Sequence, residues 1–109
     1  AVEAWGGSER VAVIGSGGIS HWVGLQRMGD VNEEFDRWVI TSVENKDYQS
    51  LMDIPDAQVL EQAGNGALEI RNFLCALGAM PEGSNRVLHY ANGAEWVTGL
   101  GFMEIGVTS

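Results

Sequence analysis

Apolar residues recur at helical spacing in two stretches of this chain. The first has Val31, Phe35, Trp38, Val39 and Val43, which predicts a helix over about residues 31–44 with one buried face. Asp30 lies three residues before Glu33, the pattern of an N-cap with its reciprocal acidic partner. The second stretch has Ile70, Phe73, Leu74 and Leu77, which predicts the strongest helix over residues 67–80, just before Pro81.

Shorter elements fill the rest of the second half. A helical turn is predicted over Tyr48–Met52, and a helix from Pro55 to about Ala63 would bury Val59 and Leu60 and end at Gly64. Residues 86–90 have the character of a strand. Residues 97–107 also have the character of a strand, with a kink or a close backbone contact where glycines interrupt it.

The run Val11–Ile14 is short, apolar on both faces and rich in β-branched residues, which is typical of a buried central strand. The glycine-rich turn of residues 15–18 follows and delivers Ser20, His21 and Trp22 beyond the strand's carboxyl end. Ligand sites gather at that edge in open α/β sheets. The pattern therefore predicts an α/β domain with a central β-sheet flanked by helices.

The composition and net charge of the chain exclude several classes of partner. The chain has 109 residues with 15 acidic and 6 basic side chains, a formal net charge of −9, which argues against nucleic acid and anionic membranes as partners. No apolar stretch is long enough to span a membrane, and one cysteine, Cys75, excludes an internal disulfide framework and is expected to be a small core residue. We therefore expect a cytoplasmic protein.

Several residues are candidates for chemistry, each with a structural alternative. Glu69 is expected on the flank of the strong helix, where it is either a carboxylate directed into a cleft or an ordinary acidic residue at a helix start. His21 is either an acid/base group or a loop histidine that caps a strand end. His89 is expected to be a packed histidine on a strand, and Trp22 and Trp96 are expected to be core residues or walls of an aromatic pocket.

The glycine turn and Ser20 allow two further hypotheses. A hydrolase nucleophile at Ser20 lacks the strand-turn-helix elbow, and a phosphate cradle lacks both the GxGxxG spacing and a following Lys-Ser/Thr. The glycines are better explained as the turn that positions His21.

The stretch GSGGISHW followed by GLQRMGDVNEEFDRWV, with GNGALEIRNFLCALGAM, RVLHY and AEWVTGLGF, resembles the class III extradiol catechol dioxygenases of the protocatechuate 4,5-dioxygenase β-subunit type. The similarity runs from about Arg10 to the C-terminus. Catalytic chains of that family are more than twice this long. The resemblance thus implies that residues 1–109 are the C-terminal part of one catalytic domain, whose N-terminal part lies outside this chain.

The resemblance also implies site residues. ALE at residues 67–69 matches the family's segment with the carboxylate ligand of Fe(II), which makes Glu69 a metal ligand, and His21 matches its acid/base histidine. Two imidazoles and a carboxylate on one face of the metal leave positions open for a catecholate and O2. The two imidazoles are expected from the N-terminal part, so this fragment alone should be inactive.

The expected reaction inserts both atoms of O2 into a protocatechuate- or gallate-like catecholic acid beside the diol. Expected partners are that substrate, O2, the N-terminal part of the domain, and a small helical second subunit or a second copy of the chain. A binding or regulatory protein on the same scaffold, and a nucleotide- or phosphate-binding module, are the alternatives.

Overall fold

A computed structural model describes residues 4–80 and 82–107 of the chain. Its helices are α1 (Glu33–Glu44), α2 (Tyr48–Asp53), α3 (Asp56–Ala63) and α4 (Ile70–Ala79), with a 3₁₀ turn over Asn65–Glu69 leading into α4. A hairpin follows, made of β1 (Ser84–Gly93) and β2 (Thr98–Val107) joined by a short 3₁₀ turn over Ala94–Trp96. This is a small α/β arrangement, which confirms the predicted fold class. None of the described helices is both long and apolar enough to cross a bilayer.

Helix α1 packs its predicted apolar face into the core but begins two residues later than expected. The side-chain oxygen of Asn32 accepts a hydrogen bond from the Phe35 N–H at 3.1 Å and caps the helix. The prediction of Asp30 as the N-cap is wrong, because its carboxylate instead pairs with Arg27 at 2.9 Å in the preceding loop. Phe35, Val39, Ile40 and Val43 are buried as the core face of α1.

Helices α2 and α3 form as predicted, with one difference in what they bury. Pro55 caps α3 and Gly64 ends it, and Val59 is fully buried. Leu60 is 42% exposed, so the prediction that it is buried is wrong. Successive helical residues point about 100° apart, and in this short helix only the face with Val59 and Ala63 meets the core.

Helix α4 is preceded by a tighter 3₁₀ segment, so the predicted helix is two elements rather than one. The i→i+3 geometry of the segment brings its last residue, Glu69, around toward the glycine turn. Ile70 and Leu77 are buried as expected. Cys75 is exposed, and its prediction as a core residue is wrong because it lies on the opposite face of α4.

The hairpin carries the only sheet in the described residues. Its strands are antiparallel, with Ser84 opposite Val107 and Gly93 opposite Thr98, and two register irregularities interrupt β1. Val97 adopts a left-handed conformation (φ 59°) where the chain enters β2. Asn85 is buried and fastens the hairpin to α1, since its amide donates to the Val43 carbonyl at 2.7 Å.

The predicted central strand at Val11–Ile14 is not a strand in the described residues, so this prediction is wrong. Val11 is 58% and Ile14 83% exposed. Among the described residues, β1 and β2 pair only with each other, so residues 11–14 have no neighbouring strand with which to form a ladder. The chain is hydrogen-bonded to the hairpin further along, where Ile19 N–H donates to the Gly99 carbonyl at 3.1 Å and Gly99 N–H donates to the Ser20 carbonyl at 3.0 Å.

Candidate functional site

His21 is held on three sides by hydrogen bonds to the main chain. Its N–H donates to the Ala63 carbonyl at the end of α3 (2.9 Å), and its carbonyl accepts from the Gly66 N–H (3.1 Å). Its ring nitrogen Nδ1 lies 3.1 Å from the Ile19 carbonyl oxygen. Because a carbonyl oxygen can only accept, Nδ1 carries a hydrogen, and in the neutral ring Nε2 is then the basic nitrogen. The side chain is thus buried and oriented, with a defined basic end.

Glu69 lies beside that basic end. Its Oε2 is 3.8 Å from His21 Nε2 and accepts a hydrogen bond from the Gly18 N–H at 2.7 Å. The glutamate side chain is 45% exposed, whereas that of His21 is 10% exposed, so the carboxylate can be reached from outside. The structure therefore brings together the two residues predicted for the site, although they come from separate parts of the chain.

Glycines lie against His21 and Glu69 at positions where a larger side chain would collide with them. A Cβ on Gly66 would lie 2.1 Å from His21 Nε2, and one on Gly17, whose φ is +144°, would lie 2.7 Å from the Glu69 side chain. The N–H of Gly18 is engaged by Glu69. That N–H cannot also cradle a phosphate, and no helix begins within the glycine turn, since α1 starts only at Glu33. These contacts favour the hypothesis that the turn positions His21 over the phosphate-binding alternative.

Ser20 has a structural role in this arrangement. Its Oγ accepts a hydrogen bond from the Asn32 N–H at 2.8 Å and lies 3.4 Å from the Asn32 carbonyl. The residue is fully buried. Its hydroxyl therefore joins the glycine turn to the start of α1 and is not exposed as a nucleophile would be.

Asp36 is a buried carboxylate that sequence reasoning missed. Its Oδ1 accepts from the Ser20 N–H at 2.7 Å, and its Oδ2 accepts from the Tyr90 hydroxyl at 2.6 Å. A Cβ on Gly99 would lie 1.9 Å from Oδ2, so β2 approaches the carboxylate closely. The available signal was its position next to Phe35 on the apolar face of α1, where an acidic residue requires a partner.

Burial and hydrogen bonding act in opposite directions on Asp36. Burial raises the pKa of its carboxyl group, whereas the hydrogen bonds from Tyr90 and Ser20 lower it, and the net direction is upward. The pKa of Tyr90 is raised as well, first by burial and then by its hydrogen bond to the carboxylate. Asp36 and Tyr90 therefore form a hydrogen-bonded pair that joins β1 to the peptide N–H of Ser20, the residue before His21.

The other candidates do not join the site. His89 is exposed on β1, so the prediction that it is packed is wrong. Trp22 is buried, with the Arg27 guanidinium 4.1 Å above its ring, whereas Trp96 is 74% exposed. An apolar cleft of about 210 Å³ lies between α1, α4 and β2. The described residues that line it carry no titratable group, so it offers no acid/base chemistry.

The donor set bears on whether a metal fits. A non-haem iron site requires several nitrogen or oxygen ligands on one face of the ion. Within residues 4–80 and 82–107, no three histidine, cysteine, aspartate or glutamate side chains come close enough to form such a group. The accessible carboxylate of Glu69 has the chemistry of one such ligand, and the described residues do not complete a set around it.

The chain matches the model of a known protein family. The family model described as the catalytic LigB subunit of aromatic ring-opening dioxygenase matches residues 1–101 of the chain. The matched range contains the glycine turn, His21, Asp36, Glu69 and Tyr90.

Proposed function

Because this chain belongs to the LigB family of catalytic subunits of aromatic ring-opening dioxygenases, we propose that it takes part in extradiol cleavage of a catecholic aromatic acid at an Fe(II) centre. The family implies an aromatic substrate and O2. The proposal adds that the substrate is protocatechuate- or gallate-like, and that both oxygen atoms enter the product beside the diol to give a ring-opened semialdehyde-type acid.

The approach of Glu69 to His21 is the observation that carries this proposal. A partly exposed carboxylate 3.8 Å from the basic nitrogen of a buried imidazole supports the proposal, because a metal ligand and a proton acceptor that serve one substrate must lie close together. When bound, Fe(II) would supply the electronic link through which a deprotonated catechol and dioxygen react. The two imidazole ligands are proposed to come from residues beyond those described.

His21 would move the protons of the reaction. With Nδ1 hydrogen-bonded to the Ile19 carbonyl, Nε2 is free to accept a proton from a catechol hydroxyl that lies against Glu69. The resulting imidazolium can return that proton as the ring opens. Burial of the side chain limits exchange of the proton with solvent and keeps the ring in one orientation.

The test is iron content and O2 uptake of the intact protein, expressed anaerobically and assayed with a panel of catechols. Glu69→Gln should lose iron and activity together, whereas Glu61→Gln, which changes an exposed glutamate on α3, should lose neither. His21→Asn should keep iron but lose at least roughly 100-fold in kcat, on the order expected for an acid/base group. His89→Asn is its matched control.

Two results would reject the proposal. One is a protein that holds no iron and consumes no O2 with any catechol under conditions in which a known extradiol enzyme works. The other is a Glu69→Gln variant with unchanged iron content and activity. The first result would favour a binding or regulatory protein on the same scaffold.

A further inference from the structure

One peptide group joins Asp36 to His21. The Ser20 N–H donates to Asp36 Oδ1 at 2.7 Å, and the Ile19 carbonyl oxygen accepts from His21 Nδ1 at 3.1 Å. That N–H and that carbonyl belong to the same peptide unit. The carboxylate, the peptide and the imidazole therefore form a continuous series of hydrogen bonds that ends at His21 Nε2, next to Glu69.

We infer that Asp36 is a positioning residue that acts on His21 through the peptide group between Ile19 and Ser20. A carboxylate bonded to a peptide N–H increases the negative partial charge on the carbonyl oxygen of the same unit, because hydrogen bonds in series polarise one another. The Ile19 oxygen then binds Nδ1–H more strongly. The imidazole is held in one tautomer and one orientation, with Nε2 directed at the cleft.

The surroundings of Asp36 fit this role. The residue is fully buried, so water does not screen its effect on the peptide, and the Tyr90 hydroxyl occupies its second oxygen. Arg37 lies over the Tyr90 ring at 5.1 Å, and Glu33 also acts on the carboxylate electrostatically. The charged group that faces the opposite end of the imidazole is Glu69.

The effect of Asp36 on the reaction rate rests on the proposed function, whereas its effect on the tautomer of His21 does not. Two separate measurements therefore test the inference. The first is the ¹⁵N spectrum of the histidine rings in intact protein purified without added iron, recorded where the imidazoles are neutral. His21 should be protonated at Nδ1, and the Ser20 amide proton should be shifted strongly downfield. Exposed His89 should show the ordinary mixture of tautomers.

The second measurement compares variants. Asp36→Asn keeps the shape and an acceptor oxygen but removes the charge, and Glu34→Gln removes an exposed charge from the same helix without touching the peptide. In Asp36→Asn, the Nδ1-protonated fraction of His21 should fall, and kcat should drop about tenfold with KM changed less than about twofold. Glu34→Gln should match wild type in the spectrum and in kcat.

Each outcome is decisive. A His21 ring protonated at Nε2 in the wild type overturns the inference, even if Asp36→Asn cannot be purified folded. So does a folded Asp36→Asn protein whose ring spectrum and kcat are those of wild type, because Asp36 would then serve packing alone. Absence of O2 uptake in the wild type rejects the proposed function and leaves the spectrum as the test of the hydrogen-bond series.

Discussion

Gly66→Ala should displace the His21 ring, with a cost to both the stability of the fold and the rate of the reaction. The added Cβ would lie 2.1, 2.2 and 2.5 Å from Nε2, Cδ2 and Cε1 of the imidazole. Non-bonded atoms at optimal separation are about 3.5–4.0 Å apart, so the ring must move by roughly 1 Å or more. Gly66 is not in the left-handed region, so alanine adds no backbone strain.

The expected cost follows from that displacement. Overpacking a buried site costs about 1–3 kcal/mol, and replacing glycine by alanine returns about 0.4–1 kcal/mol through the unfolded state. We expect a net loss of about 1–2 kcal/mol in the free energy of unfolding. A displacement of about 1 Å at a reacting group can cost about 100-fold in rate, so kcat should fall by that order.

The assay is urea unfolding together with kcat for O2 uptake. Gly78→Ala is the matched control, since Gly78 lies in α4 and a methyl group added there would meet no atom within 4 Å. This variant should gain about 0.5–1 kcal/mol with unchanged kcat. In a His21→Ala background the penalty of Gly66→Ala should disappear and leave only the small gain from the unfolded state, which gives a coupling energy of about 1–3 kcal/mol. A penalty that persists there, or a Gly66→Ala protein with wild-type stability and kcat, refutes the reasoning.

Three other predictions follow from the same contacts. Tyr90→Phe removes a donor to the buried Asp36 and should destabilise the fold by about 1–3 kcal/mol in urea unfolding; no loss would mean that the hydrogen bond contributes nothing. Because burial raises the pKa of Asp36 above its ordinary value of 3.8, the folded state binds its proton more tightly than the unfolded state. The stabilisation of the fold by this tighter proton binding is therefore present below pH 3.8 and is lost as the pH rises through the raised pKa. Asp36→Asn should remove this decline from a profile of stability against pH. A variant profile with the same shape as that of wild type would contradict the shift. Cys75 should react with a maleimide in the native protein, and labelling only after denaturation would show that it is buried.

Hydrophobic spacing predicted the helices well, because each presents a stripe that only a helical period can bury. The capping pattern with Glu33 indicated Asp30 as the N-cap of α1. Asn32 is an equally good cap, and the choice depends on which side chain pairs with a neighbour, here Asp30 with Arg27. The prediction that Val11–Ile14 is a buried strand was wrong for a related reason. Apolarity shows that a segment can be buried but does not show which strand covers it.

The candidate site was predictable only in part. His21 and Glu69 were identified by resemblance to motifs, and their approach to 3.8 Å depends on the 3₁₀ turn, which the helical pattern did not show. Asp36 was not identified from the sequence. Its role depends on contacts with Ser20 and Tyr90, which are remote from it in the sequence.

The hydrogen-bond series from Asp36 to His21 passes through the main chain, and this limits which substitutions can interrupt it. The peptide between Ile19 and Ser20 supplies its N–H and carbonyl whatever side chains it carries, so alanine scanning through these positions leaves both groups in place. Proline at position 20 is the exception, because it has no N–H to donate to Asp36. Of the substitutions at positions 19 and 20, proline at position 20 is therefore the one that removes a group of this peptide from the hydrogen-bond series.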